Sequence, residues 1–206
     1  MKNFVTVVLF VMLVAGVVLF FWQGGGEEVT EVEDVVGVGD EQLETAPGND
    51  PKNAAYLIEG QRVQLVDGYV ESEVAPDSAS KLITRYFGNE LVTDLDGDGD
   101  EDVAFVLTQE TGGTGTFYYA VAALQTEEGY VGSDGFLLGD RIAPQPTTLS
   151  PNPRHVRVVV FNYADRAPGE PMTTQPSVGK SAYLKIVPEI NTWAVVAPDF
   201  EGESAL

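Results

Sequence analysis

The sequence predicts an all-β protein: a single antiparallel β-sandwich or barrel-like domain that follows an N-terminal transmembrane helix and a disordered acidic stalk. Three observations predict it. From Tyr56 onward, runs of β-branched and aromatic residues recur about every 8–15 residues, separated by Gly, Pro, Asp and Asn. No window shows a sustained period of 3.6 residues. The first 53 residues differ in composition from the rest, because an apolar run is followed by an acidic segment.

The apolar run extends from Phe4 to Trp22 without a charged residue. As a helix it would be about 28 Å long, which is close to the hydrocarbon thickness of a bilayer. Lys2 precedes it and acidic residues follow it, so the charge rule places the N-terminus in the cytoplasm. We expect residues 1–23 to be a signal anchor of a single-pass cell-membrane protein with an extracytoplasmic C-terminal domain. The alternative is a cleaved signal peptide, with Gly24 and Gly26 near the cleavage site.

Residues 24–53 are the second unit. They contain nine acidic residues between Glu27 and Asp50, no basic residue before Lys52 and no aromatic residue. Such a segment cannot bury enough apolar surface to fold and its charges repel each other, so it predicts an acidic flexible linker. A short strand over residues 29–36 is the alternative.

The overall charge limits the classes of partner. The chain has 11 Lys and Arg against 32 Asp and Glu, a net charge of −21, which argues against nucleic acid because phosphate binding needs clustered cations. The absence of Cys excludes disulfides and thiolate metal sites. The expected partners are the membrane, through the N-terminal helix, and an envelope protein or glycan.

Residues 54–200 are predicted to form the β-domain, and residues 201–206 a C-terminal tail. Its first element is a hairpin in which Asp67-Gly68 joins alternating strands at 61–66 and 69–74, since Asp-Gly between alternating runs is a strong hairpin signal. Further strands are predicted at residues 82–87, 103–108, 116–124, 136–138, 156–161, 183–187 and 193–196.

Between the predicted strands at 82–87 and 103–108, D-L-D-G-D-G-D-E-D places six carboxylates in nine residues. Calcium takes six to eight oxygen ligands, and alternating Asp residues on a tight loop can supply them. The spacing predicts a structural calcium site formed by Asp94, Asp96, Asp98, Asp100 and Asp102, with Asp100 binding through its backbone carbonyl. Phe105 stands where an EF-hand has its bidentate Glu, and a strand-like run follows, so the loop is not an EF-hand.

The same stretch resembles the D-x-D-x-D-G-x-x-D calcium loops that join two strands in the FG-GAP repeats of integrin-type propellers. It occurs once and covers about a dozen residues, so the resemblance implies a metal loop and not a propeller. The block from Tyr56 to Val187 also resembles a domain of uncharacterised exported or membrane-anchored bacterial proteins. That second resemblance implies an extracytoplasmic location and brings no activity with it.

Residues 162–179 hold three prolines without a strand pattern, and long irregular segments are often functional. Tyr163, Asp165, Arg166 and Glu170 are therefore a candidate binding loop, with a packed latch between sheet edges as the alternative. No catalytic constellation is recognised. We expect a non-catalytic binding or envelope-interaction module; the alternative is a cell-envelope hydrolase with two carboxylates about 5–9.5 Å apart in a cleft.

Overall fold

The computed structural model describes Gly48, residues 50–74 and residues 80–198. The predicted signal anchor, most of the linker and the C-terminal tail at 201–206 lie outside the described residues. Within those residues, no helix has the length and hydrophobicity needed to cross a bilayer.

The described residues form twelve strands and two single-turn 3-10 helices. The 3-10 helices are Pro51–Asn53 and Pro188–Ile190. The strands are β1 (Ala55–Ile58), β2 (Gln61–Gln64), β3 (Tyr69–Glu73), β4 (Lys81–Thr93), β5 (Asp102–Glu110), β6 (Phe117–Thr126), β7 (Gly129–Gly132), β8 (Phe136–Asp140), β9 (Ala143–Leu149), β10 (Val159–Asp165), β11 (Val178–Val187) and β12 (Thr192–Val195).

These strands build three antiparallel sheets. Six strands form the largest, in the order β3-β4-β5-β6-β7 with β8 also paired to β6. Four strands form the second, in the order β12-β11-β10-β9, and β1 and β2 form a separate two-stranded sheet. The all-β prediction is confirmed, and the larger two sheets pack face to face as in a β-sandwich.

Strand β5 is the centre of this arrangement, because its residues from Asp102 to Gln109 are all buried. Ala104 and Val106 face the four-stranded sheet, where they join a core that includes Phe161 and Trp193. Val103, Phe105 and Leu107 face the β1–β2 sheet on the other side, together with residues such as Tyr56 and Leu65. The continuous apolar run V-A-F-V-L therefore reflects burial on both faces, whereas a strand with one solvated face would alternate.

The predicted hairpin at Asp67-Gly68 is only partly present. The turn forms: Asp67 and Gly68 have φ of 50° and 78°, and Val66 and Tyr69 exchange two backbone hydrogen bonds of 3.0 Å. Beyond that single bridge the two strands separate, so the prediction that they pair is wrong. β2 pairs with β1 around the Glu59-Gly60 turn, and β3 pairs with β4.

Several strand boundaries also differ from the prediction. β4 and β11 are longer than expected, and β10 begins at Val159 because residues 156–157 form a turn. The sequence did not predict β1, β7 or β9. β9 contains Pro144 and Pro146, which normally argue against a strand, but it lies at the edge of its sheet, where a missing N–H is tolerated.

The described part of the predicted linker belongs to the β-domain. Gly48 exchanges two backbone hydrogen bonds with Tyr130, and Gly68 donates to the carbonyl of Lys52 at 2.8 Å. Asp50 caps the first 3-10 helix by accepting from the N–H of Lys52 at 2.7 Å. Residues 50–53 therefore make hydrogen-bond contacts with the β-domain, whose start was predicted at residue 54.

Candidate metal site

The acidic loop, defined as residues 94–102, joins β4 to β5. The two strands pair regularly from Leu91 and Ala104 to the base of the loop, where Thr93 pairs with Asp102. Gly97 and Gly99 have φ of 102° and 101°, in a region that side chains other than glycine rarely adopt. These two glycines let the chain turn twice within the loop.

Hydrogen bonds from backbone N–H groups to Asp side chains define the conformation of the acidic loop. Asp94 accepts from the N–H of Gly97, Asp96 accepts from that of Asp98 at 3.0 Å, and Asp98 from that of Asp100 at 2.8 Å. Asp side chains often stabilise turns by bonding the backbone two or three residues ahead. The alternating spacing therefore defines the local backbone as well as the position of the carboxylates.

Three of the five predicted ligands converge. Asp94, Asp96 and Asp102 each offer a carboxylate oxygen, and these atoms all lie within 4.8 Å of one another. Two ligands of one calcium ion, each at 2.3–2.6 Å, are at most about 5.2 Å apart, so the group is compact enough to share an ion. Asp98 and Asp100 are exposed and outside this group. Their role as ligands stays a prediction.

Asp102 is the anchor of the site and is fully buried, with 0% of its surface exposed. Its Oδ2 accepts from the N–H of Leu95 and its Oδ1 from the N–H of Gln125 on β6, both at 2.8 Å. Burial raises the pKa of this carboxyl, and the nearby Asp96 charge raises it too; the backbone N–H groups of Gln125, Leu95 and Asp96 act in the opposite direction. A buried carboxylate with two neighbouring acids is a donor set that suits a hard cation.

Arg157 approaches the loop from the connection between β9 and β10. Its Nε lies 3.6 Å from Asp94 Oδ1, and its guanidinium packs against Gly97. No local pattern in the sequence indicated Arg157 as part of the site, because 60 positions separate it from Gly97.

A cleft of about 480 Å³ lies beside the acidic loop. The β6–β7 turn and the β11–β12 turn form its other walls. It is lined by four carboxylate residues and no basic residue: Asp96, Asp98, Asp100 and Glu127, with Leu124, Gln125, Thr126, Val131, Pro188 and Asn191.

The candidate binding loop differs from its prediction, because residues 162–165 belong to β10 and residues 178–179 to β11. Asp165 pairs with Lys180 at 2.9 Å, which lowers the pKa of the Asp165 carboxyl. Arg166 donates to the carbonyls of Thr174 at 2.6 Å and Arg141 at 2.9 Å. These hydrogen bonds connect two parts of the loop and attach it to the β8–β9 turn, an arrangement consistent with the latch alternative.

Glu170 and Tyr163 have separate roles. Glu170 accepts from the N–H of Ala167 at 2.8 Å within the same loop. Tyr163 packs at the edge of the core and lines a groove of about 380 Å³ with Phe136 and Pro198. Tyr163 and Arg166 both interact electrostatically with Asp165, while Glu170 bonds within the loop itself.

The fold and the loop define the class of protein: a three-sheet, β-sandwich-like domain with an acidic loop at the junction of two central strands. No family model, curated protein or solved structure matches the chain.

Proposed function

We propose that this chain is a membrane-anchored extracytoplasmic protein whose β-domain is stabilised by calcium and acts as a non-catalytic binding or envelope-interaction module. One observation carries the proposal: three carboxylates converge at the junction of β4 and β5, and the innermost of them, Asp102, is fully buried.

Calcium at this position would be structural. Asp94, Asp96 and Asp102 would hold the ion, and the ion would neutralise charges that otherwise repel across less than 5 Å. Because Asp102 also accepts from Gln125, the site would join β4, β5 and β6 at one end of the largest sheet. The carboxylates of the loop would then stabilise the domain and need not react with a substrate.

The proposed location rests on the sequence. Residues 4–22 carry no charge, and Lys2 lies on the side that the charge rule assigns to the cytoplasm. Outside the cell, calcium near 1 mM would occupy a loop with a dissociation constant of about 10⁻⁴ M. At those values linkage predicts a stabilisation of about 1.4 kcal/mol.

Calcium titration tests the metal. We expect the full chain, purified in detergent micelles and stripped with EDTA, to release or absorb heat with calcium and to melt at a higher temperature when calcium is restored. The double variant Asp94→Asn/Asp96→Asn should lose both responses, whereas Glu71→Gln/Glu73→Gln on β3 removes the same charge elsewhere and should keep them. An absence of heat and of any melting shift in the unmodified chain would refute the proposal.

Topology and partners need separate tests. Protease added to intact cells should degrade the C-terminal domain, and its protection would contradict the proposed orientation. Binding of envelope proteins or glycans should be stronger in calcium than in EDTA, and this difference should disappear in the Asp94→Asn/Asp96→Asn variant.

The hydrolase alternative is favoured by the cleft beside the loop, where Asp98, Asp100 and Glu127 face one space with Asp96. Hydrolysis of an envelope glycan or peptide that is lost in Asp100→Asn/Glu127→Gln, with the calcium response retained, would support the enzyme over the binding module.

A further inference from the structure

The guanidinium of Arg157 packs directly against the acidic loop at Gly97. A Cβ placed on Gly97 would lie 2.7 Å from Cζ, Nη1 and Nη2 of Arg157 alike, so the flat face of the guanidinium covers this glycine. The Nε atom lies 3.6 Å from Asp94 Oδ1. Arg157 itself has φ of 57°, a left-handed conformation that is uncommon for a residue other than Gly, Asn or Asp.

We infer that Arg157 is an internal counter-ion of the acidic loop, which neutralises part of its charge when no metal is bound and lowers its affinity for a divalent cation. The inference rests on the calcium site proposed above. It assigns Arg157 to the setting of cation affinity, a role that is distinct from that of the ligands themselves.

The physical argument begins with charge. Asp94 is one of the three converging carboxylates. Among the ion pairs between described residues, the pair that reaches the loop joins Asp94 to Arg157. A guanidinium beside Asp94 and a divalent ion bound to Asp94 repel each other. For a separation of roughly 6 Å, Coulomb's law in water gives a penalty of about tenfold in affinity, which screening at 0.15 M salt reduces to about threefold.

The position of Arg157 in the fold gives this charge a second effect. Arg157 lies two residues before β10, which belongs to the four-stranded sheet, whereas the acidic loop belongs to the six-stranded sheet. The Arg157–Asp94 pair therefore links the two sheets where the loop is attached. Without metal the pair supports this end of the sandwich, and with metal the ion takes over the neutralisation of Asp94.

The test compares three single variants of the full chain in detergent micelles, titrated with calcium by calorimetry. Arg157→Gln should bind calcium about threefold more tightly at 0.15 M salt and about tenfold more tightly at low salt. Arg157→Lys keeps the charge and should stay near the unmodified affinity. Lys81→Gln is the control, because it removes an equal charge that also pairs with exposed acids, at the other end of β4 from the acidic loop.

Thermal melting provides an independent readout. In EDTA, Arg157→Gln should melt below the unmodified chain, and saturating calcium should remove most of the difference. A residue that only supports the fold would lower the melting temperature equally in both conditions.

The outcomes separate two failures. If the unmodified chain binds no calcium, the proposed function fails first. If it binds calcium and Arg157→Gln binds with equal or lower affinity, the counter-ion role of Arg157 is refuted and the calcium site stands.

Discussion

The substitution Asp102→Asn removes the buried charge of the acidic loop and keeps the shape of the side chain. Asp102 has two acceptor oxygens, one bonded to the N–H of Leu95 and one to that of Gln125. An amide has a single acceptor oxygen, so its NH₂ group must face one of these two N–H donors. The variant therefore loses one hydrogen bond and leaves a donor without a partner.

The expected cost is about 2 kcal/mol. An unpaired buried donor costs about 1–3 kcal/mol, and the remaining bond weakens because its acceptor is no longer charged. Removing the charge also relieves its burial and its repulsion by Asp96, and we assign about 1 kcal/mol to this gain, which partly offsets the loss. For a domain of this size, 2 kcal/mol corresponds to a fall of about 4–8 °C in melting temperature.

The assay is urea unfolding of the full chain in EDTA, so that loss of metal plays no part. The fluorescence of Trp193, which is buried in the core, reports the transition. Asp98→Asn is the matched control: it removes the same charge from an exposed position in the same loop and should change stability by less than about 0.5 kcal/mol. If Asp102→Asn is as stable as this control, the anchoring role argued for Asp102 is wrong.

Three further predictions concern other parts of the domain. Gly132→Ala should cost about 3 kcal/mol or more in urea unfolding, because its Cβ would clash with the backbone carbonyl oxygen of Ala55. Gly113→Ala has open space around its Cβ and should change stability by less than about 1 kcal/mol. Asp140→Asn should make the free energy of unfolding less dependent on pH in acid. In the unmodified chain, pairing with the Arg141 guanidinium lowers the pKa of the Asp140 carboxyl below 3.8. The stability that this pair contributes is therefore present above pH 3.8 and is lost as the pH falls through the lower pKa of the folded state. Arg166→Ala should open the loop of residues 166–177, seen as new cleavage there in limited proteolysis.

Each of these has a matched comparison. Equal stability of the two glycine variants would show that the close approach at Gly132 is relieved by small backbone shifts. For the pH dependence of stability in acid, Asp67→Asn in an exposed turn is the control. If stability depends on pH equally in the two Asp variants, the argument that Asp140 is stabilised by pairing is wrong. For the loop, Lys185→Ala should leave the cleavage pattern unchanged, and an unchanged pattern in Arg166→Ala would mean that other contacts hold the latch.

The strands that the sequence predicted well are those with local signals. β5 and β6 are rich in β-branched and aromatic residues and were predicted within two residues at each end. β9 was missed because Pro144 and Pro146 are compatible with a strand only at a sheet edge, and edge position depends on the whole topology.

The acidic loop likewise has features that local sequence predicts and features that depend on the tertiary structure. The alternation of Asp and Gly predicted a tight loop with converging carboxylates, and three of them do converge. Asp102 accepts hydrogen bonds from Leu95 and Gln125, and the charge of Asp94 meets Arg157 from the connection between β9 and β10. These partners lie up to 63 residues away along the chain, so no local spacing could indicate them.

The sequence by itself determined the all-β class, the turn at Asp67-Gly68 and the acidic loop with its two glycines. Backbone preferences and side-chain alternation act over a few residues, which is why these features could be predicted without the fold. Only the tertiary structure decided that the strands flanking Asp67-Gly68 separate into two sheets, that Asp102 is buried and that Arg157 covers Gly97. Each of these depends on which apolar faces are buried against each other, and that is settled by contacts between residues far apart in the chain.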